Sequence, residues 1–432
     1  MTTPSPRVAD GGRRWRGPLL PVPTRQGWVT ALGGLVWLTV AWLTGQRDLI
    51  WPGLFVLSLP VASWLLLTLG ARPPEARRTV TPSEVRVGDR LTSRIEVTAG
   101  LDAGAVVSYS DERSPALLGA AQARFPLGSG RHRIEHQLTA GWRGRHRLGP
   151  LRRKVTDALG LARAQQVLPG TVEVLALPVL HPLDSLQAAS GMGAATDQTV
   201  LKTSLVGSDD VLVREYLPGD DVRRIHWRST ARTGELMVRR EERAWDPSAA
   251  LLIDNREEAF PAPEDLATGE LPAGAEPASD WPEPRFEWLV SAAASIAAHL
   301  VDHGFAVALS DTDATTADRA ERHSQGVIAL SRRLAELELT ASGSLDRAVA
   351  ASPTGARGQL LIALLGRLDG GDAGVLAEAR RDHQACWALL REPAVVDPEA
   401  LRLLEVSGWR VLRVSPDTPV ATAWRLLGEV AR

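Results

Sequence analysis

Two stretches near the start of the chain carry no charge: Trp28 to Gly45 and Leu49 to Ala71. Each approaches the roughly 20 residues that a helix needs to cross ~30 Å of hydrocarbon. Only Gln46, Arg47 and Asp48 lie between them, enough for a tight re-entry and nothing more. This pattern predicts a two-helix transmembrane hairpin. Trp28, Trp42 and Trp51 fall near the ends of the spans, where amphipathic indoles favour the headgroup region. Pro52 suits a helix start, whereas Pro60 kinks the second helix unless neighbours satisfy the freed carbonyl. Arg7, Arg13, Arg14, Arg16 and Arg25 precede the hairpin and Arg72, Arg77 and Arg78 follow it, against Arg47 alone in the turn. Basic residues beside spans stay inside, so both termini are expected in the cytoplasm. A second span directly after the first weighs against a cleaved signal peptide.

From about Thr79 to His181 the pattern changes to short alternating runs broken by Gly, Pro and Asp. Arg90 to Thr98, Arg131 to Thr139 and Thr171 to Leu177 read as strands, and strands at such spacing predict an antiparallel, β-sandwich-like domain. After Arg243, apolar strands alternate with helical stretches. Strands are expected at Ala249 to Asp254, Phe305 to Ser310, Gln359 to Leu365, Ala385 to Leu390 and Trp409 to Val414. Helices are expected at Phe286 to His303, Val327 to Leu337, Ala373 to Arg381 and Pro398 to Val406. Such alternation specifies an α/β domain with a parallel sheet covered on both faces. The expected organisation is a basic N-terminus over 1–27, transmembrane helices over 28–71, a sandwich-like domain over 72–182, a linker with a charged segment over 183–245, and the α/β domain over 246–432.

The 432 residues allow two or three domains, and 44% hydrophobic with 23% charged residues is a globular balance. A formal net charge of −2 gives no general attraction for nucleic acid. Cys386 is the single cysteine, so an intramolecular disulfide and a cysteine-based zinc site are both excluded. No G-x-G-x-x-G or P-loop follows any strand, so a nucleotide site has no support. Arg143, Arg145, His146, Arg147, Arg152, Arg153 and Lys154 make a basic cluster that reads as the solvated face of a strand pair or as a contact for acidic lipid headgroups or an acidic partner. His132, His136 and His146 have no carboxylate or further histidine at helical ligand spacing and do not suggest a metal site.

The densest chemistry lies in Val213 to Glu242 (VREYLPGDDVRRIHWRSTARTGELMVRREE). Charges of both signs alternate there with Tyr216, Ile225, Trp227, Leu236 and Met237. Arg214 to Tyr216 reads as a strand end, Pro218 to Asp221 as a turn offering a helix N-cap, Val222 to Arg232 as a short helix, Gly234 as its C-cap, and Leu236 to Arg240 as the next strand. Three roles are open. Asp220, Asp221, Arg223, His226 and Arg228 could supply an acid, a base and an anion clamp. Tyr216, Trp227 and the arginines are the residue types that dominate interface hot spots. The arginines could instead bridge two domains through Asp and Glu.

Nearly position for position, this segment resembles the signature of the family called domain of unknown function 58. Trp142 to Pro150 (WRGRHRLGP) and Asp157 to Leu161 (DALGL) resemble two further family patterns, RG-x-y-x-LGP and D-P-F-G-L, with Ala158 and Leu159 in place of Pro and Phe. The resemblance implies that the α/β domain is similar to a von Willebrand factor type A domain. Such domains hold Mg²⁺ through an aspartate in D-x-S-x-S. Asp254 is the matching aspartate and the one candidate metal ligand, but Arg256 and Glu258 stand at the serine positions. Arginine beside a divalent cation opposes its binding, so no cofactor, Mg²⁺ included, is expected, and Asp254 is expected to hydrogen-bond locally.

The resemblance also implies a membrane-anchored, non-catalytic adaptor or scaffold working with a MoxR-type AAA+ ATPase in cell-envelope or complex-assembly processes. A transglutaminase-like membrane protein is a further implied partner, and the bilayer a third. The residues expected to form the docking or structural surface are Arg214, Tyr216, Asp220, Asp221, Arg223, Trp227, Arg228 and Arg232. Two alternatives are a metal-dependent adhesion or sensing module using Asp254, and a cell-envelope enzyme.

Overall fold

The computed structural model describes residues 7–10, 21–69, 75–99, 106–120, 122–125, 130–184, 212–215, 225, 227–240, 248–260, 282–313, 318–320, 324–352, 359–382, 385–392 and 397–430. The chain divides into two compact units, Met1–Leu177 and Pro178–Arg432.

The first unit opens with strands β1 (Arg7–Asp10) and β2 (Val22–Pro23), followed by helices α1 (Arg25–Thr44) and α2 (Ile50–Leu69). Both helices are long and apolar enough to cross a membrane. Trp28, Trp42 and Trp51 are all largely exposed on them. The two helices run antiparallel in close contact. A Cβ on Gly34 would lie 2.9 Å from the Leu57 backbone nitrogen, and one on Gly53 would lie 2.8 Å from the Leu38 side chain. Small residues of this kind let helix backbones approach where no water drives association. The register sets Trp28 level with Trp64, and Trp42 level with Trp51. Fourteen residues at 1.5 Å each put these two pairs about 21 Å apart along the axis.

Ten strands follow: β3 (Glu75–Thr81), β4 (Glu84–Arg86), β5 (Arg90–Ala99), β6 (Val106–Arg113), β7 (Leu117–Leu118), β8 (Gln122–Phe125), β9 (Gly130–Ala140), β10 (Gly144–Thr156), β11 (Ala162–Leu168) and β12 (Val172–Leu177). One sheet has the order β1-β3-β5-β9-β7, the other β2-β11-β10-β12-β4, with β6 also pairing with β10 and β8 pairing with β6. All pairs are antiparallel except β12 with β4. Inward residues of both sheets meet in two apolar clusters, one around Leu91, Leu138, Leu148 and Val174, the other around Ile95, Val107, Ile134 and Leu151. Strand alternation divides the basic cluster between two faces. Arg143, His146 and Arg153 are buried, whereas Arg145 pairs with Glu173 at 3.3 Å and Arg152 pairs with Glu112 in the open.

Between the sheets lies a buried ion pair. Arg78 donates from both terminal nitrogens to Asp111, at 3.0 and 2.5 Å. Gly149 of the LGP stretch lies beside it: a Cβ there would come within 2.4 Å of the Gly170 carbonyl oxygen and 3.3 Å of the Arg78 guanidinium carbon, and its φ of +104° favours glycine. The register of β10 against β6 shifts between Leu148 and Leu151, a bulge beside this pair.

Asp157 organises the DALGL turn and ties it to both helices. Its carboxylate accepts from the backbone nitrogens of Leu159 and Ala162, at 3.1 and 2.6 Å, and from Ser63 Oγ of α2 at 3.0 Å. The Leu161 carbonyl accepts from the Thr24 nitrogen at 2.9 Å, and Thr24 caps α1 by accepting from Gly27. Gly27 itself packs on that same Leu161 carbonyl, where a Cβ would not fit.

In the second unit, β13 (Leu212–Glu215) pairs antiparallel with β14 (Met237–Arg240), with helix α3 (Trp227–Thr233) between them. The expected helix over Val222 to Arg232 therefore starts later among the described residues, at Trp227. A six-stranded sheet follows, built from β15 (Ser248–Ile253), β16 (Ala306–Asp311), β17 (Asp318–Ala320), β18 (Gln359–Leu365), β19 (Ala385–Arg391) and β20 (Trp409–Val414). Its order is β17-β16-β15-β18-β19-β20, parallel throughout except for β17 at the edge. Six helices cover it: α4 (Pro284–Asp302), α5 (Ser324–Ala335), α6 (Leu345–Ala351), α7 (Gly370–Ala379), α8 (Pro398–Val406) and α9 (Val420–Val430). Alternate strand residues feed two apolar clusters: Leu251 and Ile253 meet α4, α5 and α9, while Ala250 and Leu252 meet α6, α7 and α8. The parallel sheet covered on both faces is thus present as expected.

On α4, His299 lies against His303, with ring centroids 4.1 Å apart, and edge-on to Trp424. Burial and the neighbouring His303 push its imidazole down to about 4, whereas an unfolded histidine titrates near ~6.5. The unfolded chain therefore takes up this proton first. Stability of the second unit should fall as pH drops from about 6.5 towards 4, and His299→Gln should flatten that slope in urea unfolding measured across the interval.

Candidate functional site

Ligands of open α/β sheets bind beyond the carboxyl ends of the strands, near the point where strand order reverses. Here that point lies between β15 and its neighbours β16 and β18, and β15 runs directly into Asp254, Asn255 and Arg256. All three are buried although none is apolar, so each needs partners.

Asn255 ties the ends together. Its Oδ1 accepts from the Thr312 nitrogen at 2.9 Å and from Thr312 Oγ1 at 2.5 Å, just past β16, while its Nδ2 donates to the Glu338 carbonyl at 3.0 Å. Its own carbonyl accepts from Thr340 at 2.8 Å, and the Glu257 nitrogen donates back to the Thr340 carbonyl at 2.9 Å. Beside it, Arg333 of α5 reaches Asp311 at 2.5 Å.

Asp254 and Arg256 form the centre. The Asp254 carboxylate, fully buried, accepts from Arg256 Nε at 2.9 Å, Nη2 at 3.0 Å and the backbone nitrogen at 3.2 Å. The same guanidinium reaches both carboxylate oxygens of Asp372, at 2.9 and 3.1 Å, and Glu258 at 3.3 Å. Asp372 belongs to the first turn of α7, where it forms a capping box with Asp369. Although burial opposes its charge, the hydrogen bonds it donates to Asp254 and Asp372 hold the Arg256 proton more tightly than usual. Burial pushes the Asp254 carboxyl up, and Arg256 counters that push.

Asp254 is therefore engaged locally, as its sequence surroundings suggest. The residues present do not fit a divalent cation, because the position facing the Asp254 carboxylate already holds a positive charge. Arg256 and Glu258 could be identified from their spacing after Asp254. Asp372 could not, since it lies 116 residues further on, and its only sequence signal is the D-G-G-D start of a helix.

The signature segment is a second candidate. Trp227, Arg228 and Arg232 lie on α3, a helix with no buried residue, and the Trp227 side chain is 67% exposed. Gly234 ends the helix at φ +79°, with its nitrogen bonded to the Thr230 carbonyl at 2.9 Å. Thr230 Oγ1 accepts from Met237 at 3.0 Å and fastens α3 to β14. Arg214 sits in β13 opposite Val238. Tyr216, Asp220, Asp221, Arg223 and His226 lie outside the described residues. An indole left in solvent beside two exposed guanidinium groups is suited to contact.

The family model described as "Protein of unknown function DUF58" matches residues 212–260, which bears out the resemblance drawn from the signature and extends it through Asp254 and Arg256. No curated protein matches the chain. Among solved structures, a von Willebrand factor type A protein from Catenulispora acidiphila aligns at 12% identity and TM-score 0.26, over 42% of this chain and 42% of its own. The complex of Zinc 2-glycoprotein and prolactin inducible protein from human seminal plasma aligns at 16% identity and TM-score 0.17, over 23% of this chain and 92% of its own. These scores are too low to carry an argument, and the α/β assignment rests on the strand order given above.

Asn255→Ala removes the shared acceptor of Thr312 and the donor to Glu338, leaving buried polar groups unpaired. We expect a loss of about 1–3 kcal/mol in urea unfolding of the second unit, with far-UV circular dichroism of the native protein unchanged.

Proposed function

We propose that this chain is a membrane-anchored, non-catalytic adaptor or scaffold whose signature segment docks a partner, and that the partner is a MoxR-type AAA+ ATPase. The observation that carries the docking half is Trp227, two-thirds exposed on a short helix that buries nothing. Leaving a large indole in water is unfavourable by roughly 25 cal/mol per Å² of apolar surface, and Trp with Arg is the composition of interface hot spots. Arg214, Tyr216, Asp220, Asp221, Arg223, Arg228 and Arg232 complete the surface in this reading.

The two apolar helices act as the anchor and cross the membrane as a hairpin. The excess of arginine on both flanks directs both termini to the cytoplasm, where a cytoplasmic ATPase has access to both units. The first unit is a β-sandwich and the second a von Willebrand type A-like platform, its carboxyl end closed by Arg256. That closure weighs against the alternative of a metal-dependent adhesion or sensing module. A transglutaminase-like membrane protein is the expected companion in a cell-envelope or complex-assembly process.

Affinity purification of the tagged chain from gently solubilised membranes tests the proposal. Wild type should bring down an AAA+ ATPase. Trp227→Ala with Arg228→Ala should lower its recovery about 30-fold or more, the effect of losing ~2 kcal/mol at a hot spot. The unfolding temperature should not move, because neither side chain is buried. Equal recovery with the variant, or no ATPase with either protein, would refute it.

A further inference from the structure

Helix α2 leaves the sandwich little distance from a membrane. Ser63 Oγ donates to the Asp157 carboxylate at 3.0 Å, and Leu67, one turn on, packs against the apolar cluster around Ile95 and Val107. From Ser63 onward the helix therefore runs alongside the sheets. The thirteen steps from Ile50 to Ser63, at ~1.5 Å each, cover about 20 Å, whereas the hydrocarbon core is ~30 Å thick. A span this short either thins the bilayer or draws its flanking structure into the headgroup layer. Both adjustments bring headgroups onto the sheet end that carries the Asp157 turn.

That end has the layering of an interfacial surface. Strand pairing sets Val106, Thr156, Arg163 and Val22 in one row across β6, β10, β11 and β2, and residues directly opposed share a face. Val106 and Val22 are 45% and 54% exposed, and Leu159 in the turn beyond them 58%. Arg163 is exposed in the same row, and Lys154 is exposed two residues back along β10, roughly 7 Å away. Exposed Arg25 follows Thr24, which is bonded to the Leu161 carbonyl. Trp64 donates its indole N–H to the Pro21 carbonyl at 3.1 Å, next to β2. Apolar side chains at the tip with cations beside and behind them suit an anionic membrane surface.

We propose that this end of the sheet is a lipid-binding surface that sits in the membrane interface and prefers anionic phospholipid. Leu159, Val22 and Val106 reach the acyl boundary, and Arg25, Arg163 and Lys154 meet the phosphates. The proposal rests on the hairpin being the membrane anchor and adds a second, lipid-selective contact. Each cation at an anionic surface contributes about fivefold in preference.

The test uses the full-length chain in nanodiscs of phosphatidylglycerol and phosphatidylcholine, with Cys386→Ala and one new cysteine at a time carrying an environment-sensitive fluorophore. Leu159→Cys reports on the turn and Val40→Cys, within α1, on the anchor. Leu118→Cys is the water control: Leu118 lies across from Thr139 at the start of β5, while the end of β5 meets Glu75 just after α2. Lipid carrying a quencher near its headgroup should quench position 159 and leave position 118 untouched. Quencher-bearing phosphatidylglycerol should act on position 159 more strongly than the phosphatidylcholine equivalent. Arg163→Glu with Lys154→Glu should abolish that difference while position 40 stays quenched by a deep label. Quenching at 40 with none at 159 would overturn the proposal and leave the anchor standing. Equal action of the two lipids at 159 would overturn the preference for anionic lipid. No quenching at 40 would refute the anchor, and this proposal with it.

Discussion

Arginine keeps its proton under every condition in which a protein folds, so burying one commits the surrounding chain to supplying acceptors, and carboxylates supply the counter-charge as well. Each unit of this protein is organised around such a commitment. In the first, Arg78 and Asp111 face each other between two sheets, and Gly149 beside them has a left-handed backbone and no room for a Cβ against the Gly170 carbonyl. In the second, Arg256 draws together Asp254, Asp372 and Glu258 and so fixes the end of β15 against the start of α7. Removing either partner from such a pair costs about 3–5 kcal/mol, far more than an exposed ion pair contributes. The ion pairs at Arg145 and Arg94, by contrast, lie in the open and are worth little.

A different constraint governs the junction between the helical hairpin and the sheets of the first unit. Helices that pack only on one another would be free to swivel on their connection. Here the Asp157 turn caps α1 through the Leu161 carbonyl and Thr24, and grips α2 through Ser63. The turn therefore acts as a socket, and the hairpin leaves the sheets in a defined direction.

Much of the second unit was legible from pattern alone. Gln359 to Leu365, Pro398 to Val406 and Trp409 to Val414 coincide with the observed elements, because apolar runs of that length between turn formers leave little choice. Helices α6 and α9 were not foreseen. Leu345–Ala351 is too short to show a period, and Val420–Val430 owes its place to Trp424 packing against α4 and β19. Strand β6 also escaped notice, since its buried Asp111 looks like a surface residue until Arg78 is known to lie opposite. At the strand end, the sequence suggested that Arg256 opposes a metal, but only the fold shows the guanidinium satisfying Asp254 and the distant Asp372 at once. Within the signature, the turn at Gly234 was readable and the exposure of Trp227 was not, because apolar residues carry no mark of the side they face.

The account turns on whether that exposed indole faces a partner. The most direct measurement places a photo-crosslinking amino acid at position 227 of the full-length chain, irradiates intact cells, and identifies the adducts by mass spectrometry. A dominant adduct with an AAA+ ATPase, competed away by untagged wild-type chain, is the outcome this account requires. Adducts confined to the chain's own residues would mean that Trp227 completes an internal surface, and would contradict it.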